Sequence, residues 1–280
     1  MKSLLWLGDP KSFDAALVGG KAANLSRLAR MYHRVPDGFC IPVTVMDGAH
    51  PLDLRGEIFT AISDLMACQS LPELVVAVRS SAVDEDGAAA SFAGQHETYL
   101  NIVGADAILQ AVARCWDSAR SERALEYRRQ QGLSVNHLQL AVLVQQLVAS
   151  DVSAVVFSAN PITGSREEIM INASWGLGES IVGGTVTPDT FIVSKSDLAV
   201  TSRTVGDKQR MTVSVPGGTS EVDVPRFLRA QTSLNDDQAI EMAQLALTLE
   251  TTMGRPVDIE CAFAGEKLYL LQCRPITTLM

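Results

Sequence analysis

Residues 254–277 read GRPVDIECAFAGEKLYLLQCRPIT and contain two runs in which apolar residues alternate with other residues. The two runs flank a short turn at Ala264-Gly265-Glu266-Lys267. Alternation with a period of two residues on both sides of a glycine-containing turn is typical of a β-hairpin. We therefore predict a hairpin here, although the sequence leaves its register open.

Three polar side chains interrupt this predicted hairpin. Glu260 lies on the first run, and Gln272 and Arg274 lie on the second. Pairing across the turn should bring them together, on or beside one face of the sheet. A carboxylate and an amide oxygen are hard ligands for Mg²⁺, and a guanidinium is a forked donor for phosphate. The hairpin is therefore a candidate site for a magnesium-bound polyphosphate.

The composition excludes several classes of protein. The chain has 280 residues, is 47% hydrophobic and carries a net charge of −9, which is unlike a nucleic-acid-binding surface built from clustered Lys and Arg. Its five cysteines are scattered without CxxC spacing, which favours reduced thiols over a disulfide framework or a zinc site. The first residues lack the apolar run of a signal peptide, and the sequence contains no membrane span. We expect a soluble, cytoplasmic protein that binds neither nucleic acid nor membrane.

The order of the elements predicts an α+β fold. Buried strands are predicted at 38–43 and 74–79, and a helix between them is indicated by the four-residue spacing of Leu54, Ile58, Ile62 and Met66. Residues 80–95 are small and polar, which predicts a loop. Strand-like segments dominate from residue 140 to Pro216-Gly217-Gly218, and a helix near 235–252 precedes the hairpin. The regular alternation of a Rossmann sheet is missing, so we predict an α+β fold with two lobes, 1–145 and 146–280.

Other motifs are weak when each is considered alone. Lys21 follows two glycines at the start of a predicted helix, where a cation is unfavourable for the helix dipole unless an anion is bound. Arg79 ends an apolar strand, and the small residues of Ser91–Gln95 have backbone N–H groups suited to an anion. Gln145-Gln146 follows another strand, and Trp175–Glu179 is a second glycine-rich loop. Ordinary turns and surface loops account better for any one of them, and neither the dinucleotide nor the P-loop fingerprint is met.

The combination and order of these motifs resemble a known family. VGGKAANLSRL, VPDGFCIP, VRSSAVDED, SFAGQHETYLNI, VQQLV, FSANPITG, NASWGLGESIVGGTVTPD and DIECAF…LYLLQCRPITTL are similar to the ATP-binding domain of the pyruvate phosphate dikinase group, which includes phosphoenolpyruvate synthase and rifampin phosphotransferase. The resemblance runs from about Gly19 to Leu279 and implies an ATP-grasp-like fold with two lobes that clamp ATP. Ala22 departs from the glycine usual in the family, and Asn160 stands where an aspartate is common.

The resemblance also implies roles for matching residues. Lys21 and Arg79 would contact the ATP phosphates, Gly94 and Thr98 would belong to the phosphate-covering loop and the strand after it, and Arg274 would grip phosphate. Glu260 and Gln272 would bind Mg²⁺. Gln146 would read the nucleotide, and Leu147 and Val148 would offer backbone groups to adenine. Lys21, Arg79 and Arg274 are the expected catalytic residues.

The family reaction cleaves ATP to AMP and phosphate and passes the β-phosphoryl group to a histidine on a swivelling domain. That domain has no counterpart in this sequence, and we expect the acceptor histidine on a partner protein or on another part of a longer protein. Two alternatives stay open. The chain is a stand-alone ATP-grasp kinase or ligase that acts on a small molecule, or it is a non-catalytic ATP-sensing module. The complete set of phosphate and metal ligands counts against the last.

Overall fold

The structure, a computed structural model, describes residues 4–46, 51–83, 97–130, 135 and 138–276. The chain divides into two compact units. The first comprises Met1–Leu147 together with Pro216–Gly218, and the second comprises Val148–Val215 together with Thr219–Met280.

The first unit alternates strands and helices along the chain. Its strands are β1 (Leu5–Trp6), β2 (Gly38–Ile41), β3 (Val75–Ala82), β4 (Thr98–Val103) and β5 (Leu140–Gln146). Its helices are α1 (Ala15–Arg30), α2 (Val43–Met46), α3 (Arg55–Gln69), α4 (Ala105–Ala119) and α5 (Glu122–Gln130), with short 3₁₀ turns at Pro10–Phe13 and Pro51–Leu54.

These strands form one antiparallel sheet in the order β1-β2-β5-β3-β4. Val142 and Val144 of β5 lie in the core cluster that includes Ile58 of α3 and Ile108 of α4. The alternate residues Ala141 and Leu143 lie in the cluster with Leu25 of α1. The sheet is therefore buried on both faces, which explains why its strands are nearly continuous apolar runs.

Strand β3 is longer than the sequence pattern predicts. Ser80 and Ser81 were predicted to belong to a loop, but they lie within β3 and are fully buried. Their hydroxyls hydrogen-bond to backbone groups, Ser80 Oγ to the Glu97 carbonyl and Ser81 Oγ to the Ala22 N–H. A buried polar side chain is tolerated when it has such partners, which composition alone does not reveal. Residues 84–95 of the predicted loop lie outside the described residues.

The second unit consists mainly of strands. They are β6 (Val152–Phe157), β7 (Glu168–Trp175), β8 (Asp189–Ser194), β9 (Val200–Thr204), β10 (Arg210–Val215), β11 (Gly218–Asp223), β12 (Val257–Ala264) and β13 (Lys267–Pro275). Its helices are α6 (Glu179–Val182), α7 (Arg226–Arg229) and α8 (Asp236–Met253). Helix α8 begins with a capping box formed by Asn235 and Gln238 and ends at Gly254 in the left-handed conformation.

Six of these strands form an antiparallel sheet in the order β13-β12-β6-β7-β8-β9. Ile259, Val156, Ile171 and Phe191 are register partners across four neighbouring strands, and all are fully buried. Helix α8 packs against this sheet. Glu260 follows Ile259 in the strand, so its row lies on the opposite face.

The expected α+β class is confirmed, since helices pack on antiparallel sheets rather than alternating with parallel strands. Among the described residues, the structure has no helix long and apolar enough to cross a membrane.

Candidate functional site

The hairpin predicted from residues 254–277 is confirmed, and a β-bulge determines which of its polar side chains share a face. Near the turn, Ala264 pairs with Lys267 and Cys261 with Leu270. Continued without interruption, this register would pair Glu260 with Leu271 and put Gln272 on the other face. The register instead shifts between Glu260 and Cys261, so that Glu260 pairs with Gln272. Leu271 is the extra residue, and β13 is an edge strand, where bulges are common.

The bulge brings Glu260, Gln272 and Arg274 onto one face of the sheet. Arg274 pairs with Asp258, two residues before Glu260, so all four polar residues share this face. Gln272 is buried, whereas Glu260 and Arg274 are partly exposed. The grouping expected from the sequence is therefore present in the hairpin.

Asp258 belongs to this group, although the sequence analysis did not single it out. Arg274 Nε donates to Asp258 Oδ2 at 2.7 Å. Asp258 is 6% exposed, and among the described residues its Oδ1 has no hydrogen-bond partner. Burial raises the pKa of the Asp258 carboxyl, and the Arg274 guanidinium offsets this effect only in part. Its position two residues before Glu260 on a predicted strand is the signal that would have found it.

The donor atoms on this face fit a magnesium ion. Mg²⁺ prefers oxygen ligands and usually takes one or two carboxylates, with water and substrate phosphates completing its shell. Glu260 and Gln272 supply a carboxylate and an amide oxygen, and the Asp258 Oδ1 atom is a buried acceptor on the same face. Within the described residues no three His, Cys, Asp or Glu side chains form a cluster that could hold a metal by themselves. The oxygens of Glu260 and Gln272 suit a magnesium ion whose remaining ligands are water and substrate phosphates.

A second group of predicted residues lies on one face of the first unit's sheet. Arg79 of β3 pairs with Leu143 of β5 and with Thr98 of β4, on the face that α1 covers. Lys21 of α1 donates through Nζ to the Ser80 carbonyl at 3.0 Å. Lys21 and Arg79 are 4% and 9% exposed, so two cations are buried close together in sequence-distant elements. Buried cations require compensation, and an anionic ligand is one source of it.

The predicted nucleotide-reading residues lie at the end of β5. Gln146 pairs with Val76, and the alternation of β5 puts it on the face opposite to Arg79. The N–H of Leu147 donates to the Val75 carbonyl, and the Val148 carbonyl accepts from Ser150. Gly94 lies outside the described residues.

Two further motifs have structural roles. Gly176 of the glycine-rich loop has φ of 77°, and a Cβ there would lie 2.4 Å from the Thr212 carbonyl oxygen, so close packing explains this glycine. Asn160 Oδ1 accepts from the backbone N–H groups of Ile162 and Thr163, and Nδ2 donates to Glu168. The Asn160 amide oxygen thus accepts the two backbone hydrogen bonds that an aspartate could also accept. Its Nδ2 also donates to Glu168, which a carboxylate could not do.

Comparison with known proteins agrees with the resemblance noted in the sequence. The probable phosphoenolpyruvate synthase of Methanocaldococcus jannaschii is 35% identical over 100% of this chain and 27% of the relative. The phosphoenolpyruvate synthase of Pyrococcus furiosus is 44% identical over 82% of the chain and 29% of the relative. The rifampicin phosphotransferase of Streptomyces sviceus is 37% identical over 95% of the chain and 35% of the relative.

The chain therefore spans only 27–35% of the length of these curated relatives. Among solved structures, D-alanyl-alanine synthetase A from Vibrio cholerae aligns with 92% of this chain and 58% of its own chain at 12% identity and a TM-score of 0.37. The model of the pyruvate phosphate dikinase AMP/ATP-binding domain matches residues 43–280. The chain belongs to this family of AMP/ATP-binding domains.

Proposed function

We propose that this chain binds Mg-ATP and performs the ATP half of a dikinase-type phosphoryl transfer. Water takes the γ-phosphoryl group of ATP, which leaves as phosphate, and the β-phosphoryl group passes to a histidine carried by a partner protein or domain, which releases AMP. The observation that carries the proposal is the single face of the β12–β13 hairpin that holds Glu260, Gln272 and Arg274 in a member of this family.

The residues fit the needs of phosphoryl transfer, which depends on positioning and on fixed charge more than on covalent chemistry. Lys21, Arg79 and Arg274 supply positive charge to the phosphates, and Thr98 lies beside Arg79 in the sheet register. Glu260 and Gln272 would hold Mg²⁺, which when bound neutralises charge on the phosphate oxygens. Gln146, Leu147 and Val148 are the proposed contacts of the base, and Gly94 is the proposed contact in the phosphate-covering loop.

The acceptor is the part of the reaction that we assign to other protein segments. Relatives named for different products, phosphoenolpyruvate and phosphorylated rifampicin, share this domain and extend far beyond it. We infer that the domain supplies the ATP chemistry, whereas the remainder of such proteins selects the small-molecule acceptor. The five cysteines are all free, which supports a reducing, cytoplasmic location.

The direct test is to incubate the purified chain with Mg-ATP, with and without a histidine-carrying domain from a related enzyme, and to separate AMP, ADP and phosphate. AMP and phosphate that form only with the histidine domain would support the proposal. Turnover with a small acceptor alone would replace it with a stand-alone kinase or ligase. Failure to bind ATP in a magnesium-dependent way would reject it.

Substitution of the hairpin residues tests the site itself. Glu260→Ala and Arg274→Ala should each lower the rate of AMP formation about 100-fold or more, because the first removes a proposed ligand of the Mg²⁺ on the phosphates and the second removes a cation from the reacting phosphates. Glu266→Ala is the matched control, since Glu266 is exposed at the turn of the same hairpin. Unchanged rates in both site variants would refute the assignment.

A further inference from the structure

Helix α1 is broken just before Lys21. Gly19 has φ of 77°, a non-helical value inside the segment Ala15–Arg30, so a second helical piece starts at Gly20. The first N–H groups of a helix have no acceptor within the helix and need one from elsewhere. Lys21 lies in this first turn, where its charge is also unfavourable for the helix dipole.

The acceptor comes from β3. Ser81 is fully buried, and its Oγ accepts the backbone N–H of Ala22 at 3.1 Å. The preceding carbonyl, that of Ser80, accepts from Lys21 Nζ at 3.0 Å. Two consecutive residues of one strand thus hold the backbone and the ammonium group of the same helical turn.

Gly19 allows this approach. A Cβ at position 19 would lie 2.1 Å from the Ser81 carbonyl oxygen and 2.4 Å from its Oγ, so any larger residue would push the turn away from β3. The positive φ of Gly19 also favours glycine. The close approach of Gly19 to β3 and the hydrogen bond from the Ala22 N–H to Ser81 Oγ therefore both fix the turn that contains Lys21.

We propose that Ser81 is a positioning residue that sets Lys21 for the ATP phosphates. This inference rests on the proposed function, because it takes Lys21 as a phosphate ligand. Ser81 does not contact the nucleotide. It fixes the first turn of the second helical piece, and the Ser80 carbonyl orients the ammonium group of Lys21. The two serines that follow Arg79 thereby lie between Arg79 and the turn that carries Lys21.

The test compares two serine-to-alanine variants. Ser26 lies on the same helix, is also fully buried, and its Oγ also accepts a backbone N–H, that of Gly8 at 2.8 Å. Ser81→Ala and Ser26→Ala therefore remove equivalent bonds, and only the first lies beside Lys21. We expect Ser81→Ala to raise the Kd for Mg-ATP about five- to tenfold, the size of a lost helix cap, and Ser26→Ala to change it less than about twofold.

A double-mutant cycle separates positioning from loss of structure. Ser81→Ala should add little to the weakening caused by Lys21→Met, because the residue that it positions is already gone. Ser81→Cys keeps a side chain of similar volume but is a weaker hydrogen-bond acceptor. It replaces Ser81→Ala if the alanine variant does not fold, and it should also raise the Kd for Mg-ATP. Calorimetric titration with ATP and Mg²⁺ measures all of these affinities.

Three results would overturn the inference. They are a Ser81→Ala affinity equal to that of the unsubstituted chain, an equal loss in the Lys21→Met background, and unchanged binding by Lys21→Met itself. In each case the unsubstituted chain still binds Mg-ATP, so the proposed function survives. Failure of the unsubstituted chain to bind Mg-ATP would instead reject the proposed function, and the inference with it.

Discussion

Asp258 binds Arg274 through one of its two carboxylate oxygens. Its Oδ2 atom holds Arg274, while its Oδ1 atom lies buried on the face that carries Glu260 and Gln272. A guanidinium held by a carboxylate through Nε keeps its remaining donors in a fixed plane, which suits forked binding of phosphate. We therefore assign Asp258 a positioning effect on Arg274.

Replacement of Asp258 by asparagine should lower kcat/KM for ATP about tenfold. The amide preserves shape but removes the charge that strengthens the bond to Arg274, and charge-assisted hydrogen bonds are about twice as strong as neutral ones. The measurement is the rate of AMP formation with the histidine-carrying domain.

Asp223→Asn is the control for this variant. Asp223 forms an ion pair with Arg210 at 2.8 Å on an exposed hairpin, where its side chain is 72% exposed. This substitution should leave the rate of AMP formation within about twofold of that of the unsubstituted chain, because an exposed ion pair contributes little stability. Equal rates in both variants would mean that Arg274 keeps its orientation without Asp258.

At the scale of elements, a fully buried ion pair joins three segments of the second unit. Asp189, the first residue of β8, forms an ion pair with Lys208, and both side chains have no exposed surface. Asp189 also accepts from the Gly206 N–H at 2.9 Å and from the Ser233 N–H and Oγ at 2.6 and 2.7 Å. The carboxylate thus ties the start of β8 to the segment after β9 and to the residues before α8.

Asp189→Asn should destabilise the protein by about 3–5 kcal/mol, because it leaves the Lys208 ammonium buried without its counter-charge. Urea denaturation followed by circular dichroism measures the free energy of unfolding. Asp223→Asn again serves as control and should cost less than about 1 kcal/mol, since its ion pair is exposed. A similar small loss in both variants would show that the Asp189–Lys208 pair does not anchor these segments.

At the scale of the whole molecule, the reactivity of each cysteine thiol depends on its burial. Cys40, Cys115, Cys261 and Cys273 are buried, whereas Cys68 is exposed on α3. Burial raises the pKa of the Cys115 thiol to about 12 and also raises the pKa values of Cys40 and Cys261. A raised pKa keeps a thiol protonated at pH 8, and the protonated form does not react as a nucleophile.

Titration of the native chain with a chromogenic disulfide reagent at pH 8 should therefore detect one fast-reacting thiol. Denaturation in urea should expose all five. Cys68→Ser should abolish the fast phase, and it is the control that assigns the phase to α3. Two or more fast thiols in the native chain would contradict the packing described here.

Much of the fold follows from local patterns in the sequence. Apolar runs predicted the strands that begin near residues 38 and 74, alternation predicted the strand that begins near residue 257, and the four-residue spacing from Leu54 to Met66 predicted α3. These patterns succeed because the burial of apolar side chains is a local requirement of each element. Ser80 and Ser81 were assigned to a loop because they are small and polar. The assignment was wrong because the groups that bind their hydroxyls, on Glu97 and Ala22, are distant in sequence.

The sequence by itself determined the α+β class, the hairpin and the presence of Glu260, Gln272 and Arg274 on its two strands. Only the tertiary structure decided that they share a face, because the turn alone would put Gln272 opposite Ile259, and the bulge at Leu271 moves it opposite Glu260. The same holds for the Ser81 cap and for the Asp189–Lys208 pair. Alternation depends on neighbours in the chain, whereas register and buried polar contacts depend on partners that only folding brings together.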